Sequence, residues 1–243
     1  MLELTVAIPF YDRLDLLRHC LRTLNCQRLA DKTRFVAYGD GGFDRRAIPV
    51  FLEYLPKCKV IAWPEHVGAG GLTRGIVDEF ARDPHSHRLL ICDSDMIARS
   101  DLIAKISGWP IRDDMLVSVY NSSLHAPLYV SKAPFLHKRV VGSTGTLWTS
   151  LLARLVVDNV PAGDHFDDKF CAFLQVQGMP ICCYNESLIQ HLGFSGQHNR
   201  LFGTIDYGLN FVPNGHEQAE AMADMLDYVM TNQGFFCGNP RSR

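Results

Sequence analysis

Along the first hundred positions, apolar residues come in short runs that each break off into polar or glycine-bearing sequence. The runs cover residues 4–8, 34–38, 59–63 and 89–92. The last, Leu89-Leu90-Ile91-Cys92, has no polar alternation, which predicts a strand covered on both faces, as in a parallel α/β sheet. Between the runs, Leu14, Leu17, Leu21 and Leu24 recur at helical spacing and predict an amphipathic helix. Asp12 is placed to cap it and Asp15 to meet the positive end of its dipole. Leu72, Ile76 and Phe80 predict a second helix. Residues 1–97 thus read as four strands with intervening connections, two of them clearly helical.

The pattern is less regular afterwards. Residues 115–120 and 139–142 read as strands, 147–157 as a helix, and Phe170, Phe173, Leu174 and Val176 as the apolar side of another helix entered from an acidic cluster. Residues 180–184 and 187–189 read as strand segments. Residues 192–215 are rich in Gly and Asn and have little periodicity, which predicts a mobile lid. Residues 217–230 form a last helix with Ala219, Met222, Met225, Leu226 and Val229 on its apolar side.

Composition narrows the class. The 243 residues are 47% hydrophobic and 21% charged, ordinary for one large globular α/β domain. With 24 Lys and Arg against 26 Asp and Glu, the net charge of -2 gives no global attraction to nucleic acid or anionic membrane. No run approaches the roughly 20 apolar residues of a membrane span. The N-terminal sequence carries an acid where a signal peptide needs positive charge. The eight cysteines include no Cys-x-x-Cys pair, and several lie inside apolar runs. Buried thiols in a reducing cytoplasm fit that usage better than zinc ligands.

The candidate chemistry sits at the ends of the runs. Ligands of parallel sheets bind beyond the strands' C-terminal ends. There Asp93 and Asp95 stand one residue apart, hard oxygen donors suited to Mg²⁺ or Mn²⁺ shared with a phosphate-bearing substrate; a helix cap is the plainer reading. Asp40 ends the second run within Gly39-Asp40-Gly41-Gly42, where a plain turn is the simpler explanation. Gly68, Gly70 and Gly71 lead into a helix, offering N–H groups to an anion, with Arg74 adding fixed charge. Asp164, Asp167 and Asp168 cluster before residue 170, either as solvated capping groups or as the source of a general base.

As an ordered set, these pieces resemble the family 2 glycosyltransferases of GT-A fold, over roughly residues 4–195. Residues 6–13, with Pro9, Tyr11 and Arg13, look like that family's opening strand and Pro-x-Tyr-Asn-Arg turn. Residues 38–44 look like its Asp-Asp-Gly-Ser-x-Asp, with Gly39 in place of the first Asp. His66-Val67-Gly68 and Thr73-Arg74-Gly75 are similar to its Asn-x-Gly and Ala-Arg-Asn. Asp93-Ser94-Asp95 matches its Asp-x-Asp, and Phe166-Asp167-Asp168 with Gly178 is similar to its Glu-Asp followed by a distant Gly. His191 stands where several GT-A enzymes carry a third metal ligand.

The resemblance implies a single-domain α/β fold of the GT-A nucleotide-diphospho-sugar transferase type, with a mostly parallel central sheet flanked by helices. Residues 1–110 would form the nucleotide-sugar-binding half and 111–215 the acceptor and catalytic half; 216–243 would be a C-terminal helix and tail. It implies a metal-dependent, inverting hexosyl- or N-acetylhexosaminyltransferase using Mn²⁺ or Mg²⁺, and the cysteine usage adds the expectation of a cytoplasmic location. The donor would be a nucleoside-diphosphate sugar, a uridine nucleotide being the family's usual choice, and the acceptor a hydroxyl of a glycan, lipid, protein or nucleic acid. Pro9, Tyr11, Asp40, Gly68, Arg74 and Asp93 would bind the donor, with Asp40 contacting the base. Asp95, His191 and Asp93 would hold the metal, and Asp168 would be the base, with Asp167 as the fallback.

Two other readings compete. A nucleotidyltransferase that makes activated sugars would need a Gly-rich, basic loop after the first strand, where this chain has Pro9-Phe10-Tyr11-Asp12-Arg13. A non-catalytic nucleotide-sugar-binding protein would fit Gly39 and His66, but not the joint presence of Asp93, Asp95, Asp168 and His191.

Overall fold

The computed structural model describes residues 4–27, 33–129, 133–191 and 206–233. The first half runs β1 (Leu4–Phe10), α1 (Leu14–Asn25), β2 (Thr33–Gly39), α2 (Ala47–Tyr54), β3 (Lys59–Ala62), α3 (Gly68–Arg82), β4 (Arg88–Ile91), β5 (Met96–Ala98) and α4 (Leu102–Ser107). The second half runs β6 (Leu116–Ser118), β7 (Phe135–Lys138), β8 (Thr146–Thr149), α5 (Ser150–Asn159), α6 (Phe166–Val176), β9 (Ile181–Tyr184), β10 (Ile189–His191) and α7 (His216–Gln233).

Eight strands form one sheet in the order β3-β2-β1-β4-β8-β6-β9-β7. The sheet is mixed in a segregated way. β3, β2, β1 and β4 are mutually parallel, joined in chain order by the helical crossovers α1, α2 and α3, while β8 and β7 run antiparallel to their neighbours. The central strand β1 alternates its side chains between two cores. Val6, Ile8 and Phe10 enter a core with Leu17 and Leu21 of α1 and Phe51 of α2; Ala7 faces a second core with Ile76 of α3 and Phe170 of α6. Each fully buried large apolar side chain contributes about 1.5–3 kcal/mol, so burial on both faces explains why polar alternation is missing from β1 and β4.

Several boundaries differ from the sequence expectations. Residues 139–142 are not a strand; the strand is β7, which ends at Lys138, a buried lysine whose Nζ donates to the Ser122 carbonyl 3.1 Å away. A basic residue inside a buried strand masks the alternation. The helix expected over 147–157 starts at Ser150, because Leu147, Trp148 and Thr149 complete β8, and the Thr149 hydroxyl caps α5 by accepting from Leu152 N. Asp12 does not cap α1. That position falls to Arg13, in a left-handed conformation (φ 67°, ψ 58°) with no side-chain cap. Of the expected lid, 192–205 lies outside the described residues. Its remainder is tied down: Leu209 N donates to Asn121 O at 2.7 Å, Ser187 N to Leu209 O at 3.1 Å, and Ser122 Oγ to Asp206 at 2.6 Å. The tail beyond residue 233 also lies outside them. No described helix is long and apolar enough to cross a membrane.

Candidate functional site

The C-terminal ends of β3, β2, β1 and β4 lie side by side, and the loops leaving them are laced together. After β2, the Asp40 amide donates to Phe10 O; after β3, Trp63 N donates to Gly39 O and Gly41 N to Glu65 O. Gly41 must be glycine for this, because a Cβ there would meet the Glu65 carbonyl carbon at 2.1 Å and the His66 nitrogen at 2.3 Å. Gly39 is held to glycine by the Phe43 ring, which a Cβ would meet at 2.4 Å. That packing supplies a physical reason for its departure from an acidic residue.

Asp40 is buried and fully engaged. Its Oδ1 accepts from Gly41 N (3.0 Å) and Val67 N (2.8 Å), its Oδ2 accepts from Gly68 N (2.9 Å), and His66 Nδ1 lies 2.8 Å from Oδ2. The anion at the N-terminus of α3 is therefore Asp40 itself, and the glycine-rich loop offers fewer free N–H groups than its composition suggests. The next turn is closed off as well, because a Cβ on Gly70 would lie 2.7 Å from Gly163 O. This close approach seats the entrance of α6 against α3. Arg74 stays out of the cleft. Its guanidinium donates to Val157 O at 2.7 Å and lies 3.6 Å from Asp78, on the packing surface between α3 and α5.

Beyond β4, Asp93, Asp95 and His191 converge, with one ligand atom from each within 4.8 Å of the others. The small sheet makes this meeting: β10 pairs antiparallel with β5 so that His191 sits opposite Met96, one residue past Asp95. His191 Nε2 lies 3.2 Å from Asp95 Oδ1, and the Arg13 guanidinium 3.0 Å from Asp95 Oδ2. Sequence reasoning gave Arg13 no role of its own; its signal is the αL backbone that aims it back at the acids, a type of strain that collects at functional sites. His165, the N-cap of α6, shares that conformation (φ 56°).

The charges are strongly interdependent. Burial pushes Asp93 up to about 6, aided by the Asp95 charge and opposed by His191 and Arg13. Burial also works against ionised Asp95, but His191 and Arg13 override it and hold that carboxyl well below the usual range. For His191, burial favours the neutral ring, yet Asp95 and then Asp93 raise it to about 9. Two carboxylates and an imidazole form a donor set suited to Mn²⁺ or Mg²⁺, with Mn²⁺ the better match to the nitrogen. His191 Nδ1 is buried without a hydrogen-bond partner among the described residues, so one ring nitrogen is uncommitted while Nε2 faces Asp95.

At the entrance of α6 the two acids part ways. The Asp167 charge acts on Asp93, whereas the Asp168 side chain is 66% exposed and lies 3.7 Å from His165 Nδ1. Neither supplies a side-chain cap; Asp167 Oδ1 accepts from Asp168 N. Tyr11, from the loop after β1, stacks at 4.8 Å on His66, and Pro9 lies within β1.

No protein-family model matches the sequence, and comparison with curated proteins finds no match. Solved structures do match. A mannosyltransferase, PcManGT from Pyrobaculum calidifontis in complex with GDP-Man and Mn²⁺, superposes with a TM-score of 0.54 at 16% identity, over 74% of this chain and 56% of its own. TarS 1–349 from S. aureus in complex with UDP-GlcNAc gives 0.53 at 12% identity, over 94% of this chain and 67% of that one. The same protein with UDP gives 0.52 at 13%, over 94% and 66%. The chain thus spans little more than half of the mannosyltransferase and about two thirds of the TarS 1–349 segment. These likenesses, with the α/β sheet and its flanking helices, show that the chain has a glycosyltransferase-like fold of the GT-A type.

Proposed function

We propose that this chain is a metal-dependent glycosyltransferase that moves a hexosyl or N-acetylhexosaminyl group from a nucleoside-diphosphate sugar to an acceptor hydroxyl, with inversion at the anomeric carbon. The convergence of Asp93, Asp95 and His191 at the end of β4 carries the reading. The structural neighbours bind GDP-Man with Mn²⁺, UDP-GlcNAc or UDP, which supports a donor of this class. UDP- and GDP-linked sugars are therefore both candidates.

Each residue's role follows from its charge and place. Asp93, Asp95 and His191 would hold a divalent ion, whose chemistry there is to neutralise the negative charge that develops on the leaving diphosphate. Arg13 neutralises Asp95 and brings a second cation to the same spot, the role that sequence reasoning assigned to Arg74. Tyr11 offers an aromatic face beside the nucleotide, and the Asp40 latch holds the loop after β3 in place. On the far side of the reacting carbon, an inverting transfer needs one carboxylate to take the acceptor's proton. Asp167 fits this better than Asp168, because it is half-buried while the Asp168 side chain is 66% exposed.

The test is turnover of UDP-GlcNAc, UDP-glucose and GDP-mannose with Mn²⁺ or with EDTA. Release of nucleoside diphosphate from at least one donor, dependent on Mn²⁺ and lost in a folded Asp95→Ala variant, is expected. Full turnover in EDTA or in that variant would overturn the metal assignment, and turnover only when pyrophosphate is added, giving nucleoside triphosphate and sugar 1-phosphate, would indicate nucleotidyl transfer instead.

A further inference from the structure

The latch on Asp40 leaves the nucleobase without the acceptor that sequence reasoning assigned to it, and a neighbouring side chain takes its place. Both carboxylate oxygens of Asp40 are engaged, by three backbone N–H groups and by His66 Nδ1. The His66 side chain, by contrast, is 57% exposed and lies against Tyr11, itself 39% exposed. In the tautomer whose Nδ1–H faces Asp40, the other ring nitrogen, Nε2, carries a lone pair and is an acceptor.

Its position along the sheet fits a base. The candidate metal ligands follow β4, whose neighbours are β1, then β2, then β3. Strands lie about 4.8 Å apart, so the tips of β2 and β3 stand about 10–14 Å from the acids, the distance that a ribose and diphosphate span. The aromatic pair Tyr11–His66 stands over those tips.

We infer that His66, oriented by Asp40 and backed by Tyr11, is the base-recognising residue. Its Nε2 accepts the imide N–H of uracil or guanine and disfavours cytosine and adenine, which present a lone pair at the corresponding ring nitrogen. The inference rests on the nucleotide-sugar reading above and deepens it by naming the class of base. Asp40 becomes a positioning residue that sets the tautomer, and Gly41 permits the close loop approach that brings the two together.

The test is calorimetric titration of the full chain with Mn²⁺ and matched nucleotides: UDP against N3-methyl-UDP and CDP, and GDP against N1-methyl-GDP and ADP. The wild type should prefer UDP, GDP or both over the methylated partner by about tenfold or more, the worth of one hydrogen bond plus the unpaired group left behind. His66→Ala should erase that preference, while binding of pyrophosphate with Mn²⁺ stays unchanged. His66→Asn, which keeps an acceptor, should restore part of it. The UDP and GDP arms distinguish the two bases. A preference that survives in His66→Ala, or is absent from the wild type, overturns the inference alone. Loss of pyrophosphate binding in His66→Ala would reduce His66 to a structural role and also overturn it. If the wild type binds none of the nucleotides, the nucleotide-sugar reading falls and this inference falls with it.

Discussion

Metal binding at Asp93, Asp95 and His191 should be driven by pH in a defined way. Asp93 titrates at about 6 and His191 at about 9, while Asp95 stays ionised. Between these values the site carries two carboxylates and a protonated imidazole. A divalent ion must displace the His191 proton, so one proton leaves per ion bound and affinity tightens about tenfold per pH unit. From pH 7 to 8.5 the Kd for Mn²⁺ should fall about 30-fold; below pH 6 the slope steepens as Asp93 protonates too. Calorimetry in buffers of different ionisation heat counts the released proton directly. His191→Ala should weaken binding and flatten the dependence. The metal-free protein gives the opposite trend. His191 titrates above its ordinary 6.5 in the folded chain, so its pairing with Asp95 stabilises fully below 6.5 and is lost as pH rises through about 9. That loss is about 3 kcal/mol, the same interaction whether viewed from His191 or Asp95. A Mn²⁺ affinity constant within threefold from pH 7 to 8.5 would refute His191 as a ligand that gives up a proton when the ion binds.

Four substitutions probe the α6 entrance and the glycine positions. Asp167→Asn should cut the transfer rate about 10²- to 10⁴-fold with donor affinity unchanged, and Asp168→Asn should do far less harm. Steady-state kinetics that show the reverse order would return the base to Asp168. Gly41→Ala forces a Cβ to within 2.1 Å of the Glu65 backbone and should cost about 1–3 kcal/mol, lowering Tm by several degrees. Gly178→Ala, with left-handed φ but open space, should cost about 1–2 kcal/mol; equal wild-type melting of Gly41→Ala would show that the loops are not laced as described.

The first half of the chain was the more legible part of the sequence, because its signals are local. An unalternating apolar run such as residues 89–92 means a strand buried on both faces, and Leu14, Leu17, Leu21 and Leu24 mean a helix lying on it. The Asp93-Ser94-Asp95 element and His191 were also visible, and the structure brings them together. Their meeting depends on the β5–β10 register, which no local pattern encodes. Partners could not be read for the same reason. Asp40 looked like a free acid in a turn, yet the long-range approach of residues 65–68 engages both of its oxygens. Arg74 looked like an anion ligand at a helix entrance, but its position in the first turns aims it at α5. Arg13 acquires its place from a left-handed backbone, and Lys138 is buried at the end of β7. In each case a tertiary contact outweighs the local preference of the residue.

The central claim is that the acids after β4 and the histidine ending β10 hold the ion that grips a nucleoside diphosphate. Crystals grown with Mn²⁺ and UDP or GDP, measured at a wavelength where manganese scatters anomalously, test it most directly. The account predicts one peak at coordination distance, about 2.0–2.3 Å, from oxygens of Asp95, from a His191 nitrogen and from the diphosphate, with Asp93 beside it. An ordered nucleotide with no manganese peak there, or one whose diphosphate lies away from Asp93 and Asp95, would contradict it.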